Sequence, residues 1–119
     1  MLKPEYIREV VEIARERGLS VHIDGARFFN GYYALKAQRP ELTVKEFVGG
    51  ADSVNLCFSK GLSCPVGSVL VSSAANIHKA RRWRKAMGGG MRQAGMLAAA
   101  MSFALDASEE VITKDHANA

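Results

Sequence analysis

LSVHIDGAR, residues 19–27, decides the fold class of this 119-residue chain. Leu19 to Asp24 is short and rich in apolar and β-branched residues, which predicts a strand that ends at an acid followed by glycine. The segment before it, Pro4 to Arg17, carries apolar residues at spacings of three and four and is predicted to be an amphipathic helix. Pro4 suits the first turn of that helix, and Gly18 suits its end. A helix leading into such a strand indicates an α/β protein.

The rest of the chain repeats this alternation of helices and short apolar strands. Further strands are predicted at Ala51 to Phe58 and at Val66 to Ser72. Helices are predicted at Tyr32 to Lys36, from a Thr43 cap through Phe47, at Ala74 to Met87, and from about Met91 to beyond Glu110. The pattern predicts one α/β layer with a mostly parallel sheet and flanking helices, without a second domain. The last helical stretch has no stop signal, so the chain reads as a segment.

Composition excludes several classes of protein. Apolar residues make up 48% and charged residues 24%, which is typical of a globular domain and argues against disorder. No apolar run approaches the roughly 20 residues that cross a membrane, and the start lacks the apolar core of a signal peptide. A cytoplasmic protein is therefore expected. The spacing of Cys57 and Cys64 matches no zinc pattern, so no metal site is predicted and both are expected to be buried free thiols.

Positive charge is concentrated in one segment of a chain whose net charge is only +4. The cluster consists of Lys79, Arg81, Arg82, Arg84, Lys85 and Arg92. Such a cluster attracts an anion, although a solvated helix face explains the charge alone at least as well. A nucleic-acid-binding module is not expected, because Trp83 is the only aromatic residue interleaved with these cations and no nucleic-acid motif is present.

Two polar residues follow predicted strands. Asp24 ends the first strand and is expected to face the crevice where α/β sheets bind ligands, unless it caps the next helix. Lys60 follows the strand that ends near Phe58, where desolvation would lower its pKa and make its amine nucleophilic; an exposed loop lysine is the alternative. Gly61 beside it is free to adopt a positive φ. His22 shares a strand face with Asp24 and is expected to be a hydrogen-bonded core residue.

An acid and a lysine at the ends of successive strands form the pair that pyridoxal phosphate requires. The lysine amine reacts with the aldehyde of this cofactor, and the acid pairs with the protonated ring nitrogen. Asp24 and Lys60 therefore predict a pyridoxal-phosphate site.

Three blocks of sequence resemble one family in the same order. They are VHIDGAR at 21–27, SKGL at 59–62 with PVGS at 65–68, and RKAMGGGMRQAG at 84–95. These blocks resemble the signature segments of low-specificity threonine aldolases, in the β-eliminating lyase group of fold-type I pyridoxal-phosphate enzymes. The resemblance implies that residues 1–119 are the central to C-terminal part of a cofactor-binding large domain with an aminotransferase-like three-layer α/β/α fold.

The resemblance also implies roles for five residues. Lys60 would be the Schiff-base lysine, and Asp24 would pair with the pyridine nitrogen. Arg27 would lie beside the phenolic oxygen of the cofactor or the substrate carboxylate. Lys85 would help to stabilise the reacting intermediate, and Arg92 would reach the cofactor phosphate, across a subunit boundary in a homodimer or homotetramer.

The implied reaction is retro-aldol cleavage of threonine or allo-threonine to glycine and acetaldehyde. The partner would be an amino-acid substrate. Family members are considerably longer than 119 residues, so this chain alone is expected to be inactive or nearly so. Two alternatives stay open: another reaction of the β-eliminating lyases, and a non-catalytic remnant.

Overall fold

The computed structural model describes residues 2–119 as a three-stranded sheet with six helices. In chain order the elements are α1 (Pro4–Glu16), β1 (His22–Gly25), α2 (Phe28–Lys36), α3 (Val44–Phe47), β2 (Ser53–Cys57), β3 (Ser68–Ser72), α4 (Ala74–Ala86), α5 (Gly95–Asp106) and α6 (Ser108–Asn118). None of the helices within residues 2–119 is long and apolar enough to cross a membrane.

The sheet has the order β1-β2-β3 and is mixed. β1 and β2 run parallel, joined by a crossover that contains α2 and α3. β2 and β3 run antiparallel, because the ten residues 58–67 between them contain no helix and are too short for a parallel crossover. The predicted α/β class is confirmed, whereas the expectation of a mostly parallel sheet is wrong for its third strand.

Aromatic residues of α2 form the main core on one face of the sheet. Phe28 and Tyr32 pack with Phe47 of α3 and with Val54 of β2. The Tyr32 hydroxyl donates to the carbonyl of Leu42 at 3.0 Å, which ties the crossover to the same core. The sequence prediction began this helix at Tyr32, so it missed the first turn, where Phe28 is buried.

A second core cluster holds the loop after β2. Phe58, Leu62 and Cys64 of this loop pack with Ile112 of α6, which has no exposed surface. The predicted single helix from Met91 is instead interrupted: residues 91–94 are not helical, and Ala107 separates α5 from α6.

After the break at Ala107, α6 begins in contact with α2. There the Ser108 hydroxyl donates to the Leu105 carbonyl at 2.7 Å and lies 2.7 Å from the Tyr33 hydroxyl of α2. The Lys36 amine also donates to Glu109 at 3.0 Å, so α6 is joined to α2 as well as to the loop. Ile112 of α6 lies in the second core cluster.

The short helix α3 follows its predicted signals. The Thr43 hydroxyl accepts from the backbone N–H of Glu46 at 3.2 Å, and the Glu46 carboxylate accepts from the backbone N–H of Thr43 at 3.0 Å. This reciprocal pair is a capping box. The backbone hydrogen bond from Thr43 is the main reason that the pKa of Glu46 is lowered. Gly49, just past the helix, has a φ of 59°.

We expect Ile112→Ala to destabilise the protein by about 2–5 kcal/mol, because it empties a fully buried position. Thr113→Ala is the control: it changes the exposed neighbour on the same helix and should alter stability by no more than about 0.5 kcal/mol. Urea unfolding followed by circular dichroism measures both. Equal effects of the two substitutions would show that α6 does not hold the loop after β2.

Candidate functional site

Parallel pairing of β1 and β2 brings the carboxyl ends of both strands to the same edge of the sheet. Asp24 is level with Asn55, and Gly25 with Leu56, so each strand ends within a few residues of the other. Asp24 lies at the end of β1, and Lys60 follows β2 by three residues. An acid and an amine from separate segments therefore lie along one edge.

The two faces of the sheet differ in chemistry. Ile23 and Val54 point into the aromatic core. The alternate positions carry polar residues, and the ring Nδ1 of His22 lies 2.8 Å from the hydroxyl of Ser53 on β2. Asp24 and Asn55 share the polar face with this pair, because side chains alternate along a strand. His22 is hydrogen-bonded as predicted, but it is exposed, which makes the expectation of a core residue wrong.

A cavity of about 530 Å³ opens beside β1. Its polar lining includes Asp24, Arg27 and Asn30. Apolar side chains of α1 and of the main core line it as well, among them Tyr6, Ile7, Val10, Phe28 and Phe47. Cavities of this volume and largely apolar lining are typical of sites for small molecules.

The charged groups at this edge are unpaired within residues 2–119. Asp24, Arg27 and Lys60 form no side-chain hydrogen bond or ion pair there, and all three are exposed. Arg27 occupies the position before α2, which has no side-chain cap, so the alternative role of Asp24 as a helix cap is not realised. A carboxylate, a guanidinium and an amine are thus all available to a ligand.

Lys60 lies in a turn that is anchored on both sides. The Lys60 carbonyl accepts from the N–H of Ser63 at 2.8 Å, and the N–H of Cys64 donates to the carbonyl of Phe58 at 3.0 Å. Leu62 is buried in the second core cluster. Lys60 itself is exposed, so residues 2–119 do not provide the desolvated environment expected from the sequence.

Asn30 is a residue of this site that the sequence reasoning missed. Its side chain lies against Gly61, where a Cβ atom would come within 2.2 Å of Asn30 Oδ1. Gly61 is not among the residues with positive φ, so it does not use that freedom, and close approach explains the glycine instead. Asn30 follows Arg27 by three residues, which is one helical turn, and an earlier predicted start of α2 would have placed both on one face.

Lys85 and Arg92 lie elsewhere. Lys85 is in the last turn of α4, Arg92 is in the segment after it, and both are exposed. Neither lines the cavity that contains Asp24 and Arg27. α4 contacts β3 and buries none of its residues, so the basic cluster has the solvated form that charge alone suggested.

Cys57 belongs to the polar edge, whereas Cys64 is buried in the second core cluster. The Cys57 sulfur lies 3.4 Å from the hydroxyl of Ser59. Hydrogen bonding from this hydroxyl is the main cause that lowers the pKa of the Cys57 thiol, and the nearby charge of Lys60 acts in the same direction. The expectation of two buried thiols therefore holds for Cys64 alone.

Comparison with known families assigns the chain to one of them. The model of the family described as beta-eliminating lyase matches residues 1–119. This chain belongs to the β-eliminating lyase family.

Relatives within the β-eliminating lyase family match the chain closely. The low specificity L-threonine aldolase of Escherichia coli K12 is 46% identical over 119 residues, which is all of this chain and 34% of the relative. Low-specificity L-threonine aldolase 1 of Arabidopsis thaliana is 48% identical over 118 residues, which is 99% of this chain and 32% of the relative. The chain therefore spans about a third of the length of the curated relatives it matches.

Solved structures share the fold of this β-eliminating lyase chain. A protein from Listeria monocytogenes named as an L-allo-threonine aldolase superposes with a TM-score of 0.79 at 20% identity, over 96% of this chain and 30% of that one. A protein from Exiguobacterium named as an aromatic amino acid beta-eliminating lyase/threonine aldolase gives a TM-score of 0.69 at 26% identity, over 96% of this chain and 28% of that one. These likenesses confirm the α/β fold class.

We expect the two cysteines to react at different rates with iodoacetamide. Cys57 should be alkylated about tenfold faster than Cys64, because it is less buried and its lowered pKa supplies thiolate at lower pH. The alkylation rate at Cys57 should rise with pH and reach its plateau at a lower pH than the rate of an ordinary free thiol does. Mass mapping of the two peptides measures both rates, with Cys57→Ser as the control, and faster alkylation of Cys64 would contradict the placement.

Proposed function

We propose that this chain carries the cofactor-lysine part of a pyridoxal-phosphate-dependent lyase of the threonine aldolase type. One observation carries the proposal: Asp24 and Lys60 follow parallel neighbouring strands to the same edge of the sheet, where Asp24 lines a cavity of about 530 Å³ and Lys60 lies outside its lining. Membership of the β-eliminating lyase family and relatives that are named threonine aldolases support the same assignment.

The available groups fit the chemistry of pyridoxal phosphate. The Asp24 carboxylate suits the protonated pyridine nitrogen, because a buried cationic ring needs an anion close by. The Arg27 guanidinium, which lines the same cavity as Asp24, suits the phenolic oxygen or a substrate carboxylate. The Lys60 amine is the nucleophile for the aldehyde. When bound, the cofactor supplies an electron sink for the pair of electrons released at the substrate α-carbon.

Each residue of the proposed site would then have its own task. Asp24 would hold the ring-nitrogen proton in place through its negative charge, and Arg27 would orient an anionic oxygen. The Lys60 amine would hold the cofactor until the amino group of a substrate replaces it. Lys85 and Arg92 are proposed, by resemblance, to stabilise negative charge in the reaction and to bind the phosphate. They are exposed and free to serve a neighbouring subunit, as Arg92 would in a homo-oligomer.

The proposed reaction is cleavage of the Cα–Cβ bond of a β-hydroxy amino acid, with L-threonine and L-allo-threonine as substrates and glycine and acetaldehyde as products. The hydroxyl proton leaves as the bond breaks, and glycine gains a proton at its α-carbon. The group that accepts the hydroxyl proton is proposed to lie outside the third of the relatives' length that this chain spans. A cytoplasmic location and assembly into a homodimer or homotetramer are further parts of the proposal.

β-Elimination is the second candidate within the same family, because the matching family model carries that description. It would expel the β-substituent of the amino acid and, after hydrolysis, release ammonia and a keto acid rather than glycine and an aldehyde. A chain that only folds and binds no cofactor is the third possibility.

We expect the purified chain mixed with pyridoxal phosphate to gain a visible absorbance band that Lys60→Ala abolishes. The amine of Lys60 is the proposed site of attachment. Lys114→Ala removes an exposed amine on α6 and is the matched control that should keep the band. Equal bands in the wild type and in Lys60→Ala would show that attachment occurs at other lysines and would overturn the assignment.

We also expect the 119-residue chain alone to cleave L-threonine at least about 100-fold more slowly than a full-length relative such as the Escherichia coli enzyme, because loss of positioning groups of this kind costs about that factor. Acetaldehyde release coupled to a reductase measures the rate. Cleavage at a rate close to that of the relative would contradict the division of the site between this chain and other segments.

A further inference from the structure

Asn30 is in contact with both halves of the proposed site. It lies in the first turn of α2 and lines the cavity together with Asp24 and Arg27. The end of its side chain also abuts Gly61, the residue directly after Lys60. Asn30 thus joins the cavity lining to the turn that carries Lys60.

The contact with Gly61 is close. A Cβ atom added to Gly61 would lie 2.2 Å from Asn30 Oδ1, 2.9 Å from Cγ and 3.0 Å from Nδ2. All three atoms belong to the Asn30 amide, so this one group occupies the position of the missing side chain. Because Gly61 has no positive φ, its backbone would accept alanine, and the Asn30 amide is the nearest group that excludes it.

We propose that Asn30 is a positioning residue that fixes the Lys60 turn relative to Asp24 and Arg27. The inference rests on the proposed function and deepens it. The amide of Asn30, held by helix α2 above the aromatic core, serves as a stop against which the backbone at Gly61 rests. The backbone at Lys60 is thereby held at a fixed distance from Asp24 and Arg27. Gly61 permits the close contact with Asn30 because it has no side chain.

The proposal makes the effects of the two residues dependent on each other. Gly61→Ala inserts a methyl group into the Asn30 amide and should displace the turn. Asn30→Ala removes the stop and leaves Lys60 less well placed. In the double variant the new methyl group occupies the space vacated by the amide, so much of the damage should be repaired. Contacting residues typically show such non-additive effects, whereas separate residues do not.

The test measures attachment of pyridoxal phosphate itself to Lys60 of the 119-residue chain. Each variant is mixed with increasing cofactor and trapped with borohydride, and the labelled fraction of the Lys60 peptide is followed by mass spectrometry. This gives the maximal labelling rate and the half-saturating concentration separately. A positioning role should lower the maximal rate and leave the half-saturating concentration nearly unchanged.

We expect Asn30→Ala and Gly61→Ala each to lower the maximal rate at Lys60 by about tenfold. The double variant should be at least about threefold faster than the product of the two single effects predicts. Gly95→Ala and Asn118→Ala are the matched controls, since a Cβ at Gly95 meets nothing within 4 Å and Asn118 is exposed at the end of α6. Both controls should label like the wild type, and labelling at Lys114 should be the same in every variant.

The outcomes separate this inference from the function on which it rests. If wild-type Lys60 is labelled no faster than Lys114, the proposed function fails, and the positioning role fails with it. If wild-type Lys60 is labelled preferentially but the two substitutions combine without coupling, the function stands and Asn30 is not a positioning residue. The Tm of each variant shows whether lost labelling comes from a loss of stability. Variants that unfold at the wild-type Tm but label slowly support the proposal.

Discussion

The parallel pairing of β1 with β2 is the constraint on which the rest of this structure depends. Two parallel strands finish at the same edge of a sheet, so the residues that follow them meet, although the crossover separates them widely in sequence. The crossover can return to the sheet because Phe28, Tyr32 and Phe47 bury their rings against Val54 and neighbouring apolar residues. The core on one face of the sheet thus sets the register that pairs Asp24 with Asn55, whose side chains lie on the opposite face. Apolar packing therefore determines which polar groups meet at the edge.

The turn after β2 is held by a second set of contacts that come from far along the chain. Ile112 of α6 and Leu62 of the turn are buried together, and Tyr33 and Lys36 of α2 are bonded to the start of α6. These contacts keep the backbone around Lys60 in place while its side chain stays exposed. The role proposed for Lys60 needs this combination of a fixed backbone and a free amine.

Local signals in the sequence predicted much of the fold. Pro4 and Gly18 bounded α1, the capping box of Thr43 bounded α3, and short apolar runs marked the three strands. What the sequence did not reveal depends on long-range contacts. The direction of β3 follows from the short loop before it, the break at Ala107 from the need to bury Ile112, and the glycine at 61 from an amide thirty-one residues earlier. Asp24 and Arg27 were predicted together and line one cavity, whereas Lys85 and Arg92 do not join them within residues 2–119.

The central claim is that Asp24 and Lys60 act on one and the same cofactor molecule. The most direct measurement is a crystal structure of the chain after borohydride reduction with pyridoxal phosphate. The account predicts a covalent bond from Lys60 Nζ to the cofactor, with the ring nitrogen within hydrogen-bonding distance of the Asp24 carboxylate. A cofactor attached to another lysine, or one attached to Lys60 with its ring directed away from Asp24, would contradict it.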